Sequence, residues 1–339
     1  MNIEVLSRNA DFYWGVLPQM ELNLLNTSIE NHGFIDAIKN HKFSTRFDYA
    51  LDSHRANAIK FLFPDKVPFK VLEIGCGYGS LTIELAKIAH EVHAIDAVYE
   101  SLLFTKHRLN YEKISNVKLF QTEIFETPDF LESFKRESYD LIIINGVLEW
   151  VGSGSKKGNP KTYQKQFLKE CCQKLKEGGL LFLAIENRFY PGWLKRDPHS
   201  KLPFTAIAPR IIANFISLLL SRKSYRTYIY GYRSLTKMMK GCGLFLNSKF
   251  YVYHSYRRPL ILFQNNVVYA RKLLELVPRN MLSSKWRFFL KFGINCKQMD
   301  RFIPTFTHIY IKGQNSTFIL ENKYAFVEND LLNFEGTKS

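Results

Sequence analysis

The chain has 339 residues, 46% hydrophobic and 15% aromatic, with 47 Lys or Arg against 31 Asp or Glu and a formal net charge of +16. That apolar content excludes long disorder, and the length allows a sizeable core in one large or two small domains. No apolar run reaches the ~18 residues that a membrane-spanning helix needs, and M-N-I-E-V-L-S-R-N-A-D lacks a secretory apolar segment, so a cytoplasmic location is expected.

The charge is unevenly spread. Residues 187–312 hold 23 Lys or Arg against 3 Asp or Glu, whereas the remainder is close to neutral. An anionic partner is therefore expected to meet the second half of the chain. The five cysteines (Cys76, Cys171, Cys172, Cys242, Cys296) include no C-x-x-C pair, which argues against both a disulfide framework and a zinc site.

In chain order, residues 1–66 read as helices with loops, an N-terminal helical cap that includes the run Ala50 to Phe63. Tyr13 and Trp14 in it would either cover a ligand cleft or simply pack. Phe69 to Ser80 follows as F-K-V-L-E-I-G-C-G-Y-G-S: a short apolar run, then Gly75, Gly77 and Gly79 at alternate positions before a helical pattern from Leu81. Strand, glycine turn and helix open a doubly wound α/β sheet, because glycines at a strand's carboxyl end allow positive φ and close backbone approach to a ligand. A dinucleotide turn wants G-x-G-x-x-G to seat a pyrophosphate. Here the pattern is E-x-G-x-G-x-G, and the Glu73 carboxylate would face a ligand's amino group. The inferred ligand is S-adenosylmethionine; a nicotinamide coenzyme or a purely structural turn competes with it. Cys76, inside the turn, is read as a small residue beside the ligand.

E-V-H-A-I-D is the second strand, ending at Asp96, 21 residues after Gly75, with Ala97 beyond it. A carboxylate there can accept from both ribose hydroxyls of an adenosine, whichever coenzyme carries it. A helix over 98–111 and a third strand, N-V-K-L-F-Q-T-E, lead to Glu123 and Ile124. S-Y-D-L-I-I-I-N-G, the fourth strand, ends at Asn145 and Gly146, which makes N-G-V-L-E-W a candidate floor of the reaction site. Gly152 to Pro160 is a basic loop, a helix spans 162–175, and L-L-F-L-A-I-E is the fifth strand. From Asn187 the βα rhythm breaks into a proline-rich insertion, an amphipathic helix over 210–220 and the extended arm S-Y-R-T-Y-I-Y. The sixth strand is expected within 244–253 and the seventh at F-T-H-I-Y-I-K-G, separated by basic amphipathic segments with Leu282, Trp286, Phe289 and Leu290 on one face.

E-x-G-x-G-x-G resembles motif I of the class I methyltransferases. Together with D-S-H-R-A-N-A-I-K-F-L, I-I-I-N-G-V-L-E-W, L-K-E-G-G-L-L-F-L-A-I-E-N-R-F, Y-R-T-Y and F-T-H-I-Y-I-K, it makes residues 45–312 look like the class I enzymes found with glycosyltransferases in cell-surface polysaccharide biosynthesis. The resemblance implies a Rossmann-like, seven-stranded, mostly parallel sheet over 67–313, with insertions at about 187–232 and 255–304 and a tail over 314–339. It also implies that Glu73, Gly75, Gly77 and Gly79 line the methionine part of S-adenosylmethionine, Asp96 the ribose, Glu123 and the Ile124 N–H the adenine, and Asn145 the reacting end. The family more often has E-D-H where this chain reads Arg196, Asp197, Pro198, His199, and usually Glu at the position of Asp96.

Methyl transfer to a hydroxyl needs alignment and a base near neutral pKa. The candidates, in order, are His199, Glu149 and Glu186, with a local arginine such as Arg188 as the alternative partner of either acid. A divalent ion held by two of them would lower the acceptor's pKa, but no metal-ligand spacing is present and no metal is expected. Two acceptors compete for the basic half. A glycan or nucleotide- or lipid-linked sugar would set phosphates on Arg and Lys and sugar faces on Trp193, Tyr225, Tyr228 or Tyr230, with the 282–292 segment on an anionic leaflet. RNA would use the same basic and aromatic residues, although N-G-V-L is not the [DN]-P-P-[FY] usual for base amino groups. The sugar is the preferred reading, with RNA, or a small molecule methylated at oxygen or nitrogen, as the alternatives.

Overall fold

The computed structural model describes residues 2–7, 17–42, 51–63, 65, 67–124, 130–155, 158–264, 270–271, 274–275, 284–296, 298–313 and 325–327. Tyr13, Trp14 and Leu282 lie outside the described residues. Five parallel strands set the frame: β2 (Val67–Ile74), β3 (Ala89–Asp96), β4 (Val117–Gln121), β5 (Tyr139–Asn145) and β6 (Leu175–Glu186). Val71–Leu72 and Leu141–Ile144 are apolar without alternation because helices bury both faces of a central parallel strand. On one face Leu72, Ile74, Ile142 and Ile144 pack on Phe167 and Leu168; on the other Val71, Leu141 and Ile143 pack with Leu85, Leu102 and Leu109.

The helices that supply those contacts are α4 (Thr82–Ile88), α5 (Tyr99–Tyr111) and α6 (Pro160–Lys174). The last starts where Asn159 accepts from the Lys161 N–H at 3.0 Å, with Pro160 preset for the first turn. Past β6 the sheet turns antiparallel: β9 (Thr305–Lys312) lies between β6 and β7 (Leu244–Ser255), and β7 pairs with β8 (Arg258–Gln264).

The expected Rossmann-like sheet is present, but its count is corrected. Among the described residues, and counting β1 (Ile3–Val5) and β10 (Ala325–Val327) at its edges, the sheet has ten strands in the order β1-β4-β3-β2-β5-β6-β9-β7-β8-β10, with the seven expected ones side by side within it. Of the three extra strands two are only three residues long, and the third, β8, lies in the stretch 255–304 that was expected to be an insertion and is in its first part a strand of the sheet. β1 (Ile3–Val5) adds parallel to β4, so the N-terminal part is not helical throughout, and β10 (Ala325–Val327) adds antiparallel to β8. N-terminal helices α1 (Gln19–His32) and α2 (Phe34–Asn40) bring Leu22, Leu25 and Ala37 onto Tyr78 and Phe104, over the glycine turn; α3 (Asn57–Leu62) packs toward β8.

The chain leaves β2 toward β3 and β4, then crosses back to β5 on the other side. This reversal opens the crevice at the carboxyl ends of β2 and β5. Ile74 is in register with both Ile95 and Ile144, so Gly75, Asp96 and Asn145 follow side by side on that edge.

Candidate active site

The glycine turn folds as its spacing requires. Gly75, Gly77 and Gly79 all have φ between +53° and +77°, a region costly for other residues. A Cβ on Gly75 would meet Val147 Cγ2 at 2.4 Å and one on Gly79 would meet Thr105 Cγ2 at 2.8 Å, whereas a Cβ on Gly77 would enter open space. The turn is pinned by Asp96, whose Oδ2 accepts from the Gly77 N–H at 2.7 Å and Oδ1 from the Val98 N–H at 2.9 Å. Asp96 therefore shapes the turn while retaining lone pairs for ribose hydroxyls. Ala97 and Cys76 are buried beside it, and burial pushes the Cys76 thiol up, which fits an inert small residue.

Glu73 is buried at the end of β2 and accepts from the Thr82 hydroxyl at 2.7 Å. Burial raises its carboxyl to about 7 against the lowering effects of Thr82 and Arg55. Glu123 and Ile124 are also buried, and the Glu123 N–H donates to Ser7 Oγ at 2.7 Å, so the segment just after β1 fixes the chain at Glu123. Asn145 is buried with its Oδ1 lacking a hydrogen-bond partner among the described residues, and Gly146 (φ 72°) turns the chain away. A cradle open at Gly77 and an unpaired amide oxygen beside it fit S-adenosylmethionine.

The acceptor side is where widely separated residues converge. Glu149 sits on the 3-10 turn Leu148–Trp150 after β5, Glu186 ends β6, and His199 lies in the insertion. His199 Nε2 is 3.5 Å from Glu186 Oε2 and 3.7 Å from Glu149 Oε1, and its side chain is only 1% exposed, edge-on to Trp150. All three candidate catalytic residues are thus brought together. Arg188 is not their partner, because it donates to the Ala206, Ile207 and Ala208 carbonyls and staples the insertion.

The chain's substitute for E-D-H has a structural use. Asp197 is buried and its Oδ1 accepts from the His199 and Ser200 N–H groups at 2.7 and 2.9 Å, while Oδ2 accepts from Thr205 and Tyr225 hydroxyls at 3.0 and 2.9 Å. The D-P-H-S stretch, an Asx-turn pattern, was the available signal for this role.

Tyr256 was missed, since nothing near it in sequence marks it. From the turn between β7 and β8 its hydroxyl reaches Glu186 Oε1 at 2.9 Å and Glu149 Oε1 at 3.2 Å, and a Cβ on Gly146 would strike its ring at 2.5 Å. Arg257 is 4.0 Å from Glu186 Oε1.

Charges in the cluster oppose one another. Burial and the nearby Glu186 carboxylate raise Glu149. Burial alone would raise Glu186 and lower His199, but their mutual attraction outweighs it, leaving the carboxyl lowered and the imidazole raised.

Two expectations about the basic half need correction. Tyr225 and Tyr230 are buried, their hydroxyls spent on Asp197 and Gln164, so neither offers a face to a sugar. Trp193 donates to the Asn187 carbonyl and Tyr228 lies under Arg210. The helix over Ser284–Asn295 turns Trp286 and Leu290 into the core, so that face is closed to lipid.

Residues 65–206 match the family model of a methyltransferase domain. The chain is similar to the mitochondrial ubiquinone biosynthesis O-methyltransferase of Mus musculus, 27% identical over 119 residues, or 35% of this chain and 29% of that protein. It is 32% identical over 122 residues to the ubiquinone biosynthesis O-methyltransferase of Glaesserella parasuis (35% and 46%). It is 24% identical over 128 residues to the malonyl-[acyl-carrier protein] O-methyltransferase of Bacillus cereus (37% and 40%). The chain thus spans less than half the length of these three relatives. The Haemonchus contortus phosphoethanolamine N-methyltransferase 2 in complex with S-adenosyl-L-methionine overlays with TM-score 0.46 at 13% identity, covering 89% of this chain and 62% of that one. Residues 65–206 are thus similar to methyltransferase domains, and the sheet to which they contribute is Rossmann-like.

Proposed function

We propose that this chain, with residues 67–313 as its catalytic unit, methylates a hydroxyl oxygen that binds between Asn145 and the Glu149, Glu186 and His199 cluster. The observation that carries this reading is the convergence of those three buried groups on the carboxyl edge of β5 and β6, next to Gly146 and the glycine turn. When bound, S-adenosylmethionine supplies an electrophilic methyl group. The protein's own work is to hold the ribose at Asp96, the amino group near Glu73 and the reacting end near Asn145, and to exclude water with Trp150 and Tyr256.

The acceptor must lose a proton as it is methylated. The two carboxylates beside His199 favour its protonated form in the ion-free cluster, so Glu149, raised by burial and by the nearby Glu186, is the better proton acceptor there, and His199 balances its charge. Glu149→Gln should lower kcat by about 100-fold or more while calorimetry shows S-adenosylmethionine affinity within about twofold. Undiminished turnover would remove Glu149 from the chemistry.

For the acceptor we favour a sugar hydroxyl of a cell-surface glycan or its lipid- or nucleotide-linked precursor. Support comes from the basic insertion that carries His199 and from the neighbouring helix α7 (Arg210–Ser221), which leaves Ile211, Phe215 and Leu219 exposed just before exposed Arg222 and Lys223. No helix among the described residues is long and apolar enough to cross a membrane, so α7 would lie on an anionic leaflet rather than span it. Incubating the enzyme with labelled S-adenosylmethionine and lipid-linked, nucleotide-linked and free sugars tests this. Label appearing instead in RNA would reverse the choice.

A further inference from the structure

Among the described residues His199 finds no hydrogen-bond partner for either ring nitrogen, although its side chain is almost fully buried and two carboxylates stand beside it. A buried polar atom without a partner is costly, and three such groups in one place call for an explanation. Glu149 Oε2 and Glu186 Oε2 are likewise without hydrogen-bond partners. The Nε2 separations of 3.5 and 3.7 Å exceed the 2.7–3.2 Å range of a hydrogen bond. They are close to the spacing of atoms that share a metal, since ligands at roughly 2.0–2.2 Å from a tetrahedral or octahedral ion lie about 3.0–3.5 Å from one another. One ligand atom from each residue falls within 4.8 Å of the other two.

We propose that Glu149, Glu186 and His199 bind a divalent first-row cation of the Mn2+ or Zn2+ kind. Two carboxylates and one imidazole suit such borderline ions better than Ca2+, which takes oxygen alone, or Cu(I), which prefers sulfur. The 2+ charge would displace the proton that His199 carries in the ion-free cluster and offset both carboxylates; Glu149 would then be a ligand, and the acceptor hydroxyl, its pKa lowered by the ion, would lose its proton to water instead of to Glu149.

The surroundings are those of a supported site. Tyr256 and Arg257 occupy Glu186 Oε1 and leave Oε2 toward His199. Asp197 Oδ1 lies 4.0 Å from His199 Nδ1 and accepts from the His199 backbone N–H, so it fixes the turn that carries the ring. Three protein ligands would leave open positions, at which the ion could take an acceptor oxygen. The sequence hid this because positions 149, 186 and 199 have no ligand-like spacing.

The role as acceptor anchor rests on the oxygen-methylation reading; the existence of the site does not. The test uses the full-length protein stripped with a chelator and titrated with Mn2+ alone, followed by electron paramagnetic resonance of free Mn2+ and by elemental analysis of the protein as purified. One equivalent should bind, and His199→Asn and Glu186→Gln should each weaken it at least tenfold while still binding S-adenosylmethionine by calorimetry, which shows that they fold. Absence of saturable binding, or binding equal in both variants and the parent, overturns the proposal. If stripped protein binds the cofactor and methylates its acceptor at full rate, the ion has no role in the reaction while the methyltransferase reading stands. Stoichiometric Mn2+ binding without any methyl transfer leaves the site standing and refutes that reading instead.

Discussion

The Tyr256 hydroxyl lies 2.9 Å from Glu186 Oε1 and 3.2 Å from Glu149 Oε1, so one phenolic proton serves two buried carboxylates that come from different strand ends. It can donate to only one at a time. Tyr256→Phe keeps the ring against Gly146 and removes that proton. Turnover should fall about tenfold, the worth of a hydrogen bond to a charged group, with cofactor affinity unchanged. Gly146→Ala should impose the same loss by pushing the ring away, and would add the strain of a non-glycine residue at φ 72°. Turnover equal to the parent in Tyr256→Phe would mean that the tyrosine only packs.

Among the three turn glycines, Gly77 alone has free space beyond its Cα. Gly77→Ala should cost about 1 kcal/mol of stability for the left-handed backbone and reduce cofactor affinity modestly. Gly77→Trp would place a ring where the ligand backbone approach occurs and should abolish S-adenosylmethionine binding by calorimetry while the far-ultraviolet circular dichroism stays unchanged. Retained affinity in the Trp variant would move the cofactor away from this turn. Asp96→Ala should also abolish binding, for a different reason: it frees the Gly77 and Val98 N–H groups and loosens the turn itself.

Glu73 makes a pH prediction whose sign is set by its raised carboxyl. A group at 4.5 when unfolded and about 7 when folded binds more protons in the folded state between those values. Stability therefore falls as pH rises from about 4.5 to about 7 and is not recovered above, a loss on the order of 3 kcal/mol. Glu73→Gln keeps the Thr82 hydrogen bond and removes the titration. Urea unfolding of the ligand-free proteins at pH 5 and pH 8 should show the parent losing stability that the variant retains. Cofactor binding should be accompanied by proton release near pH 6 in the parent only, read from calorimetry in two buffers. Parallel losses in the two proteins would show that Glu73 is ionised at both pH values.

The parallel half was legible because each of its signals is local. V-L-E-I-G-C-G-Y-G places Gly75, Gly77 and Gly79, and the run L-I-I-I-N ends at Asn145, where β5 in fact ends. His199, Glu149 and Glu186 were legible as chemistry and as positions after strands, but not as a cluster with partners. Asp197 and Tyr256 act through contacts up to 107 residues away, which no window reports. The edge strands β1 and β10, three residues each, are too short for a period to show. The Ser284–Asn295 helix misled for the opposite reason: its amphipathic pattern is real, but β-sheet and insertion cover the apolar face that a lipid was expected to meet.

Helix α7 keeps its own apolar face exposed, which makes it the proposed membrane contact. Its buried side is narrow, Ala213 and Ser217, and the arm over 224–230 holds it through the Tyr225 N–H to Asn214 Oδ1 and Ser217 Oγ to the Lys223 carbonyl. Outward it shows Ile211 (86% exposed), Phe215 (65%) and Leu219 (69%), with Arg222 and Lys223 next in sequence. Apolar contact and headgroup attraction would then add, at about 1 kcal/mol for each basic residue at an anionic surface. Sedimentation with vesicles of one-third phosphatidylserine should carry the parent down at low salt, and Phe215→Glu with Leu219→Glu should leave it in the supernatant with cofactor affinity intact. Arg222→Ala with Lys223→Ala should weaken binding to anionic vesicles several-fold and reduce its salt dependence. If the double Glu variant still sediments, α7 is not the membrane contact; if only a change in oligomeric state accompanies it, the exposed face belongs to a protein interface.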